Sequence, residues 1–116
     1  MNYIIAPGLK EEAALHVRNS KIRRILQSIE AVTGISYEQL KERTRVKHIV
    51  LARMVAIYLI RANTSLTTTQ IGGWFNQHHS SIIHAVHRVK NPYDKELRRL
   101  YVSCNEHFIN SIINNH

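Results

Sequence analysis

Amide, imidazole and hydroxyl side chains follow one another in the middle of this chain of 116 residues. Such groups donate and accept hydrogen bonds, and they match the base edges in the major groove of DNA. No Ser-His-acid arrangement or pair of carboxylates stands out beside them, so the sequence does not predict an enzyme. Five consecutive residues are therefore candidates for contacting bases: Gln77, His78, His79, Ser80 and Ser81.

The spacing of neighbouring residues predicts a helix immediately before this polar segment. Thr67 can cap its start, and Gln70, three residues later, completes a capping box. Leu66 and Ile71 have the spacing of a hydrophobic staple. The helix should continue to Phe75, after which residues 76–78 form a tight turn.

Two glycines and two aromatic residues lie in that first helix. Gly72 and Gly73 each weaken a helix by roughly 1 kcal/mol relative to Ala. We expect them to permit close helix packing rather than to break the helix. Trp74 and Phe75 are expected to anchor it in the core.

A second helix is predicted over residues 79–90, before Pro92. Ile82, Val86 and Val89 fall on one helical stripe, which leaves the polar residues mainly on the remaining surface. Pro92 ends the pattern, since proline disfavours helical geometry in the preceding residue. Two short helices joined by a polar turn predict a helix-turn-helix, whose second helix would enter the major groove.

The charge of the chain favours a polyanionic partner. Sixteen Lys and Arg residues against eight Asp and Glu residues give a formal net charge of +8. A basic surface on a small domain binds phosphates, so together with the predicted motif it indicates double-stranded DNA. RNA is a weaker prediction, because no aromatic stacking platform is evident.

The remaining residues predict an all-α domain of six or seven helices. Pro7 marks a break, and a leader over residues 1–19 would hold a short helix at 9–17, with Asn19 or Ser20 capping the next helix. The main domain would span residues 20–92, with a short helix after Ser36. A long helix is expected over 46–62, and an amphipathic helix over 93–113 would pack on the same domain. The long helix should turn three residues inward: Val50, Met54 and Ile57.

The helix-turn-helix segment resembles the signature of the C-terminal DNA-binding domain of DnaA, the bacterial replication initiator. That signature runs from a small and an apolar residue through a turn to a His, two hydroxyl residues, two aliphatics, a small residue and a basic-aliphatic pair. The resemblance extends from about residue 22 to residue 90 and implies a DNA-binding domain without the ATPase module, whose GxxxxGK[ST] loop is absent from this sequence. The matching residues are Gly72, Phe75, Asn76, His79, Ser80, Ser81, Ile82, Ile83, Ala85, Arg88 and Val89.

The resemblance also implies a basic loop before the long helix. In it, Arg45 would reach the minor groove, while Lys47 and Arg53 would bind phosphates. The expected phosphate or minor-groove contacts are together Arg43, Arg45, Lys47, Arg53, Thr67, His84 and Arg88.

Two positions depart from the family pattern inside the turn. Gln77 stands where the family has Arg or Lys, and His78 replaces a common acidic residue. Because Gln pairs most naturally with adenine, we expect the site to be weighted towards A·T at this position.

Other classes of protein are less favoured by the sequence. No apolar run approaches the roughly 20 residues needed to span a bilayer, and a signal peptide is not predicted. Cys104 is the single cysteine, which fits a protein of the reducing cytoplasm. Within the cytoplasm, a DNA-binding protein is expected at the nucleoid. His84 and His87 lie on one helical face, but a structural zinc ion needs four ligands, so no metal site is predicted. No nucleotide or other cofactor is predicted either.

A protein-interaction module built on the same fold is the alternative function. The final helix and the apolar leader residues Tyr3, Ile4 and Ile5 could form a homodimer or partner surface. The cluster of Arg45, Lys47 and Arg53 beside a polar helix favours DNA instead, because an adaptor has no need of it.

Overall fold

Six α-helices make up the part of the chain that the structure, a computed structural model, describes. The backbone is described from residue 6 to 114 and the side chains from residue 19 to 114, and no strand occurs in this range. The expected all-α fold is confirmed. The helices are α1 (Ala6–Thr33), α2 (Tyr37–Leu40), α3 (Lys47–Asn63), α4 (Thr68–Phe75), α5 (His79–Lys90) and α6 (Lys95–Ile113).

The first helix is continuous over 28 residues, so the predicted break before residue 20 is wrong. Because α1 begins at Ala6, Pro7 falls in the first turn, where a missing N–H disrupts no helical hydrogen bond. Asn19 and Ser20 lie inside the helix instead of capping a new one. The leader residues Tyr3, Ile4 and Ile5 lie outside the described residues.

The central element is α3, which packs against α1, α5 and α6 and also touches α2 and α4. Its residues are buried around most of its circumference, as expected for a helix surrounded by others. Of the three residues expected to point inward, only Ile57 is fully buried. Val50 and Met54 are half-buried, and they line a groove beside α5.

The last helix packs against α1 and α3, and its start also contacts α5. Leu97, Cys104 and Phe108 form its buried stripe, which confirms the predicted amphipathic helix, although it begins at Lys95 instead of residue 93. Burial raises the pKa of the Cys104 thiol to about 11, so this cysteine is a core residue and not a reactive thiolate. None of the described helices is long and apolar enough to cross a membrane.

Candidate nucleic-acid interface

The first helix of the motif, α4, begins as its sequence predicts. The Thr67 hydroxyl accepts a hydrogen bond from the Gln70 backbone N–H at 3.1 Å, and the Gln70 side chain accepts one from the Thr67 N–H at 2.9 Å. This reciprocal capping box satisfies two donors that a helix start leaves unpaired. Ile71 and Phe75 are fully buried, whereas Trp74 is half-buried beside Tyr37. The start and the core anchors of α4 are thus fixed locally.

The turn after α4 depends on one glycine. Asn76 adopts the left-handed conformation (φ 56°), and the Gln77 N–H donates to the Gly72 carbonyl at 2.9 Å. A Cβ atom on Gly72 would lie 2.3 Å from the Gln77 carbonyl oxygen, a distance that no real contact allows. The close approach at Gly72 is thus to the turn itself, whereas close packing of helices was expected. A Cβ on Gly73 would meet nothing within 4 Å, so this glycine has no such role.

The second helix of the motif, α5, spans the predicted residues and is capped by His78. Its inner face consists of Ile82, Ala85 and Val89, with Val86 half-buried beside them. Ile83, one of the two aliphatic residues of the family signature, is 43% exposed. Six polar residues of α5 are exposed: His79, Ser80, Ser81, His84, His87 and Lys90.

A groove separates the start of α5 from the loop before α3 and from α3 itself. Val50, Met54 and Ile57 contribute its apolar floor. Its rim carries polar and cationic side chains, and no carboxylate is among the described residues that line it. The polar and cationic lining residues are Thr44, Arg45, Arg53, Gln77, Ser80, Ser81 and His84.

The two loop arginines are placed differently from Arg53. Arg43 and Arg45 are exposed, and the Thr44 hydroxyl accepts a hydrogen bond from the Val46 N–H, which shapes the loop end. Arg53 is only 8% exposed, and its Nε and Nη2 atoms donate to the carbonyls of Leu40 and Glu42, each at 2.7 Å. Burial lowers the pKa of the Arg53 guanidinium, which nevertheless stays charged at any ordinary pH. Arg53 thus ties the end of α2 to α3.

The cations Lys47 and Arg88 face carboxylates at the start of α6. Lys47 Nζ lies 2.9 Å from a Glu96 carboxylate oxygen, and this pair raises the pKa of Lys47. Arg88 Nη2 lies 2.7 Å from Asp94 Oδ2, and this hydrogen bond lowers the pKa of Asp94. Asp94 also caps α6 by accepting from the Leu97 N–H. These two cations hold the start of α6 against α3 and α5.

The structure brings about half of the predicted site residues to one groove. They are Arg45, Arg53, Gln77, Ser80, Ser81 and His84. The other predicted residues lie outside its lining: His78 and Thr67 cap helices, His79 stacks on His78, Arg43 is exposed on the loop, and Lys47 and Arg88 are ion-paired. Five lining residues were not predicted from the sequence: Thr44, Val50, Met54, Ile57 and Ala85. An apolar pattern does not indicate which of its residues stay partly exposed at a groove, whereas Thr44 could have been suspected because it lies between two loop arginines.

Two helices joined by a tight turn, with a polar start to the second and a cationic groove beside it, define a DNA-binding helix-turn-helix domain. Residues 22–89 match the family described as the bacterial DnaA protein helix-turn-helix. The chain belongs to this family.

Several curated proteins resemble the chain. It is 34% identical over 93 residues to a chromosomal replication initiator protein DnaA of Oleidesulfovibrio alaskensis, covering 80% of this chain and 19% of that protein. It is 31% identical over 84 residues to that of Thermoanaerobacter sp. (strain X514), covering 72% of this chain and 19% of that protein. The chain therefore spans about a fifth of the length of these relatives. No solved structure matches it.

Proposed function

We propose that this protein binds double-stranded DNA sequence-specifically, with α5 in the major groove. In this arrangement Gln77, His79, Ser80 and Ser81 face the base edges from the turn and the first turn of α5. His78, which caps α5, stays a predicted base contact as well. Arg45 extends from the loop towards the adjacent minor groove, and Arg43 contacts the phosphates beside it.

The groove between the loop and α5 is the observation that carries this proposal. An exposed cation, Arg45, stands on one side of it, and the hydroxyls of Ser80 and Ser81 stand on the other. Among its described lining residues no carboxylate would repel a phosphate. A surface that joins hydrogen-bonding groups to uncompensated positive charge fits a nucleic acid better than a neutral ligand.

The half-buried Gln77 gives the proposed site a base preference. Its backbone is fixed in the turn by the hydrogen bond to Gly72, while its side chain lines the groove. A glutamine side chain forms its best paired hydrogen bonds with adenine, whereas the basic residue of the family pattern favours guanine. We propose an A·T-weighted site at this position.

The remaining predicted contacts supply phosphate binding at the edges of the site. Thr67 and His84 are exposed, so both can meet a phosphate without rearrangement. Lys47 and Arg88 would exchange their carboxylate partners for phosphates. Arg53 would hold the loop in place through its two hydrogen bonds to carbonyls, while its other N–H groups would be available to the groove.

The biological role proposed here is DNA binding at the nucleoid, in the cytoplasm. The relatives are named chromosomal replication initiator proteins, so recognition of a replication origin is one proposed setting. Transcriptional regulation and mobile-element maintenance are the other two. Domain limits of 20–92 for the DNA-binding part and 93–116 for the packed C-terminal helix belong to the same proposal, as does binding without a nucleotide or other cofactor.

Selection from a randomised pool of duplexes at physiological salt tests the proposal. The wild-type protein should enrich one motif, and Ser81→Ala should lose that enrichment because it removes a hydroxyl from the proposed base-contacting surface. Arg45→Ala should weaken binding to all sequences. Arg99→Ala is the matched control, because Arg99 is an exposed arginine on α6 that does not line the groove.

Two results would count against sequence-specific binding. Salt-sensitive binding without enrichment would leave a nonspecific DNA binder. Equal losses for Arg45→Ala and Arg99→Ala would mean that overall charge, rather than the groove, determines affinity.

An exposed apolar surface on α6 favours a second function, protein interaction. Val102, Ile109, Ile112 and Ile113 are between 42% and 57% exposed on this helix. A homodimer or a partner protein would cover them. Sedimentation of the wild-type protein and of Ile109→Glu, over a range of concentrations, tests this; a wild-type monomer throughout would exclude the homodimer.

A further inference from the structure

The recognition helix is capped by an imidazole, which is an uncommon cap. Ser, Thr, Asp and Asn are the residues that usually accept the hydrogen bond from the first helical turn. Here Nδ1 of His78 accepts from the Ser80 backbone N–H at 3.2 Å, and it also lies 2.9 Å from the Ser80 hydroxyl oxygen. One ring nitrogen therefore meets both polar groups of Ser80, a candidate base-contacting residue.

These two contacts fix where the protons lie when the ring is neutral. A backbone N–H can only donate, so Nδ1 must carry its lone pair and the ring proton must be on Nε2. The Ser80 hydroxyl then also donates to Nδ1, since that nitrogen has no proton to give. With its proton directed at the ring, the hydroxyl oxygen presents only lone pairs to the DNA.

Protonation of the ring reverses the direction of this hydrogen bond. Nδ1 then carries a proton and donates it to the Ser80 oxygen. The hydroxyl proton turns away from the ring and becomes available to the groove. The Ser80 N–H loses its acceptor, so the start of α5 is held less firmly.

We propose that His78 is a positioning residue whose protonation state sets whether Ser80 accepts or donates a hydrogen bond, so that base preference changes with pH. This inference rests on the proposed function of α5 as the recognition helix. It gives His78 a role through Ser80 in addition to any direct contact with DNA.

The groups around this ring set the conditions for the change. His79 lies against it at a tilt of 38°, with ring centroids 4.1 Å apart, and Ser80 makes both contacts with Nδ1. No carboxylate is among these described contacts of the ring, and Arg45, Arg53 and His84 line the adjacent groove. The cap geometry, with Nδ1 as an acceptor, is that of the neutral ring.

The two states differ in the bases that they match opposite Ser80. As an acceptor, Ser80 matches the amino groups of adenine N6 and cytosine N4 in the major groove. As a donor, it matches guanine O6, thymine O4 and the N7 of either purine, so cytosine is matched only by the acceptor, and guanine and thymine only by the donor. A single neutral hydrogen bond changes affinity by about two- to tenfold, so the preference at one base position should shift by about that factor.

Selection from the random duplex pool at about pH 8 and about pH 5.5, at equal ionic strength, tests the inference, because histidine side chains change charge in this range. His78→Asp and His78→Asn both keep an oxygen acceptor for the cap and do not change charge in this range. His87→Gln is the matched control: it removes an exposed histidine of α5 that lies outside the groove and makes no cap hydrogen bond with Ser80.

The expected result is a change of preference at one base position in the wild-type protein and in His87→Gln. Neither His78 variant should change its preference at that position with pH. Effects of the other histidines, His79 included, persist in the His78 variants, so the difference between wild type and variants isolates His78. Circular dichroism at both pH values checks folding, and His78→Asn alone suffices if His78→Asp does not fold.

Two results overturn the inference and leave the proposed function intact. One is a wild-type motif with the same base preferences at both pH values. The other is an equal pH-dependent change in the wild-type protein and in the folded His78 variants. If no motif is enriched at either pH, sequence-specific binding itself fails, and the inference fails with it.

Discussion

Cationic residues lie both in the groove beside α5 and against the start of α6, but only those at α6 are paired with carboxylates. In the groove, Arg45 is exposed and no carboxylate is among the described lining residues. At the start of α6, Lys47 pairs with Glu96, and Arg88 pairs with Asp94. Charge is left uncompensated where a polyanion could bind, and it is compensated where helices must be held together.

This difference separates cations that hold the fold from cations available to a ligand. Arg53 is a cation that holds the fold, although it also lines the groove, because its guanidinium donates to the carbonyls of Leu40 and Glu42. Arg43 and Arg45 belong to the second kind. The comparison can be tested by changing one residue of each kind and measuring stability and affinity separately.

Arg53→Ala should have the largest effect on stability. It leaves the Leu40 and Glu42 carbonyls without their charged donor, and hydrogen bonds to charged groups contribute about 1.5–3 kcal/mol each. We expect a loss of about 3 kcal/mol in the free energy of unfolding, measured by urea denaturation. Arg45→Ala should change stability by less than about 0.5 kcal/mol. Similar stabilities for Arg53→Ala and Arg45→Ala would contradict the distinction between cations that hold the fold and cations available to a ligand.

Gly72→Ala should destabilise the turn that presents α5. Its Cβ would collide with the Gln77 carbonyl, so the backbone must shift, at a cost of about 1–3 kcal/mol. Gly73→Ala, one residue later, has open space and should stabilise the helix by about 0.5–1 kcal/mol. Thermal unfolding of the two variants measures this contrast, and shifts of the same sign would contradict the geometry.

The salt dependence of DNA binding should reveal how many cations reach phosphates. Five phosphate contacts would give a log-log slope of about −4 to −5, whereas Arg43 and Arg45 alone would give about −2. The five are Arg43, Arg45, Lys47, Arg53 and Arg88, so the steeper slope requires Lys47 and Arg88 to leave their carboxylates and Arg53 to reach a phosphate with its remaining N–H groups. Fluorescence anisotropy over a salt series measures the slope, and a value near zero would exclude phosphate contacts.

Asp94→Asn should have the smallest effect and a distinct pH dependence. The Arg88 hydrogen bond lowers the folded-state pKa of Asp94 below its unfolded value. The stability that this pair contributes is therefore present at neutral pH and is lost as the pH falls below about 4. Asparagine keeps the cap on the Leu97 N–H but not the charge, so wild type and variant should converge in stability in acid. A constant difference down to pH 2 would contradict this.

The helix-turn-helix was predictable because its signals are local. A capping box, a turn and an apolar stripe lie within a few residues of each other, and α5 begins and ends where its sequence predicts. A close approach was predictable at Gly72, but its neighbour proved to be the carbonyl of Gln77, two residues beyond Phe75, and not another helix.

Two features had no such local signal, the continuity of α1 and the partners of Arg53. Asn19 and Ser20 favour a helix start in isolation, yet α1 runs through both. Arg53 stands near other cations in the sequence, whereas its partners lie 11 and 13 residues away on another element. Roles that depend on distant partners cannot be obtained from periodicity.

Amide chemical-shift mapping by NMR, with the labelled protein titrated by a short duplex recovered from the random pool, tests the central claim most directly. The predicted result is that the largest changes fall on Arg43, Arg45 and residues 77–84, with little change along 102–113. Changes concentrated on the outer surface of α6, with the groove residues unaffected, would contradict recognition by α5.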